Sequence, residues 1–272
     1  MSAAVGGLEI SPATVQAATS GDAEALRSVI ASLQAPLYNL SLRMLASRED
    51  AEEATQEALL RVITHLASFR GEARFSTWAW SVATRVVLEY RRRRARLPLP
   101  IEAFEADLAR DRDDEAIERA EDRVLLQQVK LGCSRAMLQC LDDEQRVAYV
   151  LGEILEVPGP EAAEALGLSH AAWRKRLSRA RASVELNLQR TCGVVNPAAG
   201  CRCHKRVRPA RRLGRLDPAD AEGTLALGAL REQLAGIEAL SRARAFYRAD
   251  PMAEPGAALV ERVRQTLGLT SA

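Results

Sequence analysis

Residues 161–181 read EAAEALGLSHAAWRKRLSRAR and close on five cations in eight positions, Arg174, Lys175, Arg176, Arg179 and Arg181. A guanidinium is a planar fork of donors that fits phosphate oxygens and the edge of guanine, so this cluster is chemistry for a nucleic acid. Its surroundings supply a geometry. Ala162, Ala163 and Leu166 are the small and apolar residues by which a short helix packs, Gly167 suits the left-handed residue of a tight turn, and Ser169 can cap the following helix through its hydroxyl. Trp173 and Leu177, four apart, then share an inward face, which leaves His170, Ala171, Arg174, Lys175 and Ser178 outward. Such a pair of helices can lay the second in the major groove with its first turns against base edges. A basic amphipathic helix on a solvated surface would carry the same charges, but it gives no reason for the glycine, the cap and the small-residue helix to occur together.

A second group of reactive residues follows in CGVVNPAAGCRCH, where Cys192, Cys201, Cys203 and His204 fall within thirteen positions. Thiolates and an imidazole on a turn-rich loop suit zinc or copper, with Cys192, Cys201 and Cys203 as the candidate ligands. The spacing is not that of a CxxC knuckle, and a Cys-x-Cys pair also serves redox chemistry, so both readings stand. Cys133 and Cys140, two turns apart on one helix, are expected to be small buried residues. Five cysteines, an odd number, argue against a disulfide framework. His65, His170 and His204 are scattered, and the sequence has no nucleophile elbow, phosphate loop or HExxH, so an enzyme is not expected and no cofactor is required.

The elements that must position these residues are helical. Of the 272 residues 47% are hydrophobic and only 4% aromatic, with Ala and Leu abundant and β-branched runs short, which predicts an all-α chain of several modules. The net charge of +2 says little, because the charge is segregated. Only three of the 38 basic residues are lysines, an excess that GC-rich codons also produce, so the clusters carry the argument. No window reaches the roughly 18 apolar residues of a membrane span and the N-terminus lacks the form of a signal peptide, which predicts a cytoplasmic protein with no membrane contact.

Residues 1–20 are small and polar and are expected to be flexible. From Asp22, Leu26, Val29, Ile30, Leu33, Leu37, Leu40 and Met44 recur at spacings of three and four, with Pro36 predicted to break or kink the run into two helices. The next helix, DAEEATQEALLRVITHLASF, puts Ala51, Ala54, Ala58, Val62 and Leu66 on one stripe and Glu52, Glu53, Gln56, Glu57 and Arg61 on the other side. Another runs from Phe75 to Tyr90 and ends in RRRRAR. Pro98 and Pro100 then interrupt the helix, and acids outnumber bases about three to one between Ile101 and Asp122, the composition of a linker. Helices are expected near 122–140, 142–154, 160–166 and 169–189, with two or three more beyond residue 207.

These motifs resemble the extracytoplasmic-function (ECF) sigma factors of RNA polymerase. The helix ending Arg176-Leu177-Ser178-Arg179-Ala180-Arg181 is similar to that of sigma region 4. Asp50, Ala51, Glu52, Glu53, Gln56 and Glu57 resemble region 2.2, and Phe75, Thr77, Trp78 and Ala83 fall in register with regions 2.3 and 2.4, with Glu89 where the family often has Asp.

The resemblance implies sigma region 2 over 21–96, an acidic linker over 97–120 and sigma region 4 with its helix-turn-helix over 121–190; outside it the residues themselves give a flexible N-terminus over 1–20, a Cys-rich loop over 191–206 and a helical extension over 207–272, the last with no counterpart in a minimal sigma factor. The resemblance also implies that Glu53, Gln56 and Glu57 dock on the β′ clamp helices of core polymerase, that the β flap is a further contact, and that promoter DNA is the nucleic acid. The linker would follow the path of nascent RNA.

Region 2 would bind the minus-ten element and help melt it. An extruded base needs an aromatic platform or pocket; Phe75, Trp78 and Trp80 are the candidates, and Trp78 also fits a core position. Arg85 stands where members often have Asn. Arg91, Arg92 and Arg93, within the run to Arg94, would meet phosphates. In region 4, Arg174 and Lys175 beside His170 would meet base edges, with Arg176, Arg179 and Arg181 on phosphates. The Cys-rich extension resembles that of metal-responsive members. A stand-alone helix-turn-helix regulator is the competing reading; the resemblance names no anti-sigma partner.

Overall fold

The computed structural model describes residues 8, 10–95, 97–110, 122–216, 227–235, 237 and 239–269. Its α-helices in chain order are α1 (Pro12–Thr19), α2 (Ala23–Leu45), α3 (Arg48–Thr64), α4 (Phe75–Arg93), α5 (Ile101–Ala109), α6 (Asp122–Leu138), α7 (Asp143–Tyr149), α8 (Gly159–Ala165), α9 (His170–Thr191), α10 (Val207–Arg212), α11 (Leu227–Ala235), α12 (Ala239–Arg248) and α13 (Ala257–Thr266). Among the described residues the only β-type pairing is one isolated bridge, Cys192 with Cys201. Two compact units interleave along the chain: residues 1–96 with 147–177 and 252–272, and residues 97–146 with 178–251.

The first unit is built on α2, α3 and α4. Asp22 caps α2 by accepting from the Ala25 N–H at 2.7 Å, and Val29, Ile30, Leu33, Leu37, Leu40 and Met44 have no exposed surface. The stretch is one helix through Pro36, where the sequence predicts a break or kink into two. An interior proline costs about 3 kcal/mol, and this continuous buried stripe recovers more, at about 1.5–3 kcal/mol per fully buried aliphatic side chain. Ser47 caps α3 through the Asp50 N–H, and Ala51, Ala54 and Ala58 are fully buried. The N-terminal residues expected to be flexible include α1, which Ser11 caps and which buries Val15 and Ala18 against α2; residues 1–7 lie outside the described residues. In the same unit α8 packs on α4, with Glu161 accepting from Ser76 Oγ at 2.9 Å and pairing with Arg74 at 2.8 Å.

The second unit holds α5, α6 and α10 to α12. Part of the expected linker is helix: α5 buries Phe104 and Leu108, while Asp107 pairs with Arg215 at 2.7 Å and Arg206 at 3.2 Å, and Glu105 pairs with Arg190 at 2.8 Å. Composition alone misreads this segment because the balancing cations come from distant residues. The acid-rich stretch 111–121 lies outside the described residues. Arg146, fully buried, closes the end of α6 by donating to the carbonyls of Leu138, Gln139 and Leu141 at 2.7, 3.0 and 2.6 Å, groups that a helix end leaves without partners.

In the same unit, buried Lys130 of α6 pairs with Asp250 and donates to the Phe246 carbonyl at 3.0 Å, while Ser134 Oγ donates to Asp250 at 2.8 Å. Removing one partner of such a pair strands the other. Lys130→Met is expected to destabilise this unit by about 3–5 kcal/mol, and adding Asp250→Leu to recover much of the loss, both read from urea unfolding.

Candidate nucleic-acid interface

The turn between α8 and α9 forms as its residues demand. Ala162, Ala163 and Ala165 are buried, Gly167 sits at φ +65°, the Leu168 N–H donates to the Ala163 carbonyl at 2.9 Å, and Ser169 Oγ accepts from the Ala172 N–H at 3.2 Å. Trp173 and Leu177 are inward, at 2% and 7% exposure. They close over Gly152 and Gly159: a Cβ on Gly152 would stand 3.0 Å from Leu177 and 3.1 Å from Trp173. Anchored in this way, α9 holds His170, Arg174, Lys175, Arg179 and Arg181 exposed and Arg176 half-buried.

On α4 the expected DNA contacts divide. Arg85 and Arg92 are exposed. Arg93 is half-exposed and pairs with Glu57 at 2.5 Å. Arg91 is a correction: it is 1% exposed and donates from Nη1 to the Met44 carbonyl at 2.9 Å, near the C-terminal end of α2, so it is a structural cap and not a phosphate ligand. Trp80 is likewise core, at 0% exposure. Trp78, half-buried, joins Phe75 and Phe69 in an aromatic trio with centroids 5.5–5.8 Å apart. Phe69, which sequence reasoning passed over, is brought in by the turn before α4; its place in a Gly-containing loop flanked by arginines was the available signal. Phe69 and Phe75 also line a cavity of about 850 Å³ with Leu8, Val15, Arg70 and Ser76.

The polar face of α3 is occupied within the first unit. Glu53 accepts from Tyr90 Oη at 2.6 Å and from Arg94 at 3.1 Å; Glu57 pairs with Arg61 at 2.7 Å as well as with Arg93. Burial, then the bonds to Glu53 and Asp50, raise the Tyr90 hydroxyl well above its ordinary value and keep it a donor. Gln56 accepts from Arg262 Nε at 3.2 Å.

The second unit gathers four thiols where the sequence links three. Cys192 and Cys201 pair across the isolated bridge, buried Cys203 opens the turn into α10, and α6, which carries Cys133, packs on that turn. Burial pushes the Cys203 thiol up to about 12, and the Cys133 thiol well above its ordinary value; repulsion from Cys192 and Cys201 adds to both, and from Cys203 to Cys133. Cys140 stands apart near Glu102 and Glu105, pushed by burial to about 11. Among the described residues no three His, Cys, Asp or Glu side chains are arranged to hold a metal ion.

A bundle with an acidic face, together with a helix-turn-helix whose cationic face is exposed, defines a helical DNA-binding transcription factor. Residues 29–97 match sigma-70 region 2 and residues 131–184 match sigma-70 region 4. The chain is similar to the RNA polymerase sigma-H factor of Pseudomonas aeruginosa, 24% identical over 177 residues, 64% of this chain and 92% of that protein. It is similar also to SigW of Bacillus subtilis, an ECF sigma factor, at 26% over 176 residues, 62% of this chain and 91% of that one. With the ECF sigma factor SigE of Mycolicibacterium smegmatis it shares 30% identity over 146 residues, 53% of this chain and 54% of that one. The solved structure of CnrH in complex with the cytosolic domain of CnrY is similar at TM-score 0.49 and 22% identity, over 65% of this chain and 96% of that one. The chain carries regions 2 and 4 of the sigma-70 factors and is similar to ECF members of that family; it is an initiation factor without enzymatic activity that directs RNA polymerase core to promoters. No helix among the described residues is long and apolar enough to cross a membrane.

Two outcomes follow from the site. Arg91→Ala leaves a buried carbonyl without its donor and is expected to cost about 2–3 kcal/mol, against under about 0.5 for Arg92→Ala, measured by thermal unfolding. The thiols give an alkaline dependence. Cys203 near 12 and Cys140 near 11 lie above the unfolded thiol at about 8.5, so their contribution is whole below about pH 8.5 and is lost as pH rises toward those values. The urea midpoint of the reduced protein is expected to fall from pH 8 to pH 10.5, and Cys203→Ala to flatten that fall.

Proposed function

We propose that the two regions divide initiation between them in a specific way. Region 2 docks on the clamp helices of core polymerase through Glu53, Gln56 and Glu57 on α3, and takes an extruded promoter base at the Phe69, Phe75 and Trp78 trio beside its cavity. Arg85, Arg92 and Arg93 lie along the phosphates of the same element. Region 4 reads the distal promoter element through α9, with Arg174 and Lys175 on base edges beside His170, and Arg176, Arg179 and Arg181 on phosphates. The reading is carried by α9, whose cationic face is exposed while Trp173 and Leu177 anchor the opposite face. The stand-alone regulator is set aside, because it gives region 2 no task. The convergence of Cys133 with Cys192, Cys201 and Cys203 supports an oxidant sensor in the extension; zinc or copper would need these side chains to rearrange, since no three of them are arranged to hold a metal ion.

Reconstituted transcription with core polymerase tests this. The chain is expected to confer initiation at defined start sites, and Arg174→Ala with Lys175→Ala to lower it at least about tenfold while core binding is kept, since a bidentate base contact supplies about 1–3 kcal/mol. Core polymerase that gains no promoter-specific start with the chain added would sink the reading.

A further inference from the structure

Residues 252–269 return to the first unit and lie along the helix assigned above to polymerase docking. Asn39 of α2, with no exposed surface, donates through Nδ2 to the Ala253 carbonyl at 2.7 Å and accepts at Oδ1 from the Ala253 N–H at 2.9 Å. The side-chain amide thus pairs with the returning backbone as a neighbouring strand would. Ala253 rests on the buried group of Tyr38, Leu42 and Ala51. The backbone then passes so near α3 that a Cβ on Gly256 would stand 3.2 Å from a Glu52 carboxylate oxygen. Helix α13 follows, packed on α3 and α2, with Leu259 and Val263 fully buried and Arg262 reaching Gln56 at 3.2 Å and Glu52 at 3.5 Å. Arg27 Nε closes the far end on the Leu269 carbonyl at 3.4 Å.

Glu52, Glu53, Gln56 and Glu57 recur at helical spacing, the register that presents one polar face. Glu53 and Glu57 are taken by α4 and Arg61, and Glu52 and Gln56 by Arg262. We propose that residues 252–269 are a strap laid over the chain's own polymerase-docking face, which core polymerase must displace before α3 is available. The proposal rests on the docking role of α3. Its contacts are those of a reversible closure: a half-exposed cation on a carboxylate and an amide, two aliphatic side chains, and an amide latch that water can replace on both sides.

The test is the affinity of the full chain for core polymerase, by fluorescence anisotropy, together with hydrogen exchange of the strap. Arg262→Glu sets two acids against each other at the surface without touching the core, and Val263→Asp unseats the helix. Each is expected to tighten core binding at least tenfold with helicity retained, and amides 257–266 of the unmodified chain are expected to lose protection on core binding. Unchanged or weaker affinity in Arg262→Glu, or strap amides that stay protected in the complex, would overturn the strap. Glu53→Arg with Glu57→Arg, made in the Arg262→Glu background, separates the two ideas. If this pair weakens binding while Arg262→Glu alone had no effect, the docking face stands and the strap falls. If it changes nothing although Arg262→Glu tightened binding, the docking assignment falls, and with it the strap as occupant of that face.

Discussion

A helix can offer its charges to another molecule only while its opposite face is held, and in α3 the holding is done by Ala51, Ala54 and Ala58. Side chains this small let the neighbouring backbones close in, and all three have no exposed surface. The close approach sets the reach of everything on the other side. It brings Tyr90 and Arg94 of α4 to Glu53, and Arg93 to Glu57, so an acidic face that looks solvated in one dimension is a network in three. The same closeness lets a single returning segment cover the remaining two polar positions.

Much of this was legible in the sequence, and the reason is period. The buried stripes of α2 and α3, the Gly167 turn, the Ser169 cap and the inward pair Trp173 and Leu177 are all spacings of three and four, or residues with one conformational use. The misreadings have a different origin. Pro36 predicts a break or kink by a local rule, and the buried stripe overrides it. The segment from Ile101 reads as a linker when its acids are counted without Arg190, Arg206 and Arg215, which lie roughly a hundred residues away and pair with them. A missing partner at long range is invisible to any window.

The thiols show the same limit from the other direction. Cys192, Cys201 and Cys203 announce themselves by proximity in sequence, whereas Cys133 is separated from them by about sixty residues and reads as filler on a helix. Packing of α6 on the turn at Cys203 makes it one of the group. Burial holds the Cys133 and Cys203 thiols protonated, and protonated thiols are poor ligands and poor nucleophiles. Reactivity in this cluster therefore depends on whatever admits water or a cation to it, and not on cysteine content.

Arginine carries the same lesson into function. A codon bias can enrich arginine everywhere, yet it cannot decide what each one does. Arg91 and Arg146 are buried and spend their donors on helix-end carbonyls, where a planar, permanently charged fork satisfies several acceptors at once. Arg174, Arg179 and Arg181 are exposed on a helix whose other side is pinned by a tryptophan. Residue type is common to the two sets, and burial separates them: the first set has exchanged water for protein carbonyls, and the second stands at the surface. The surface proposed to read DNA is thus picked out less by where arginine is abundant than by where the fold keeps it exposed.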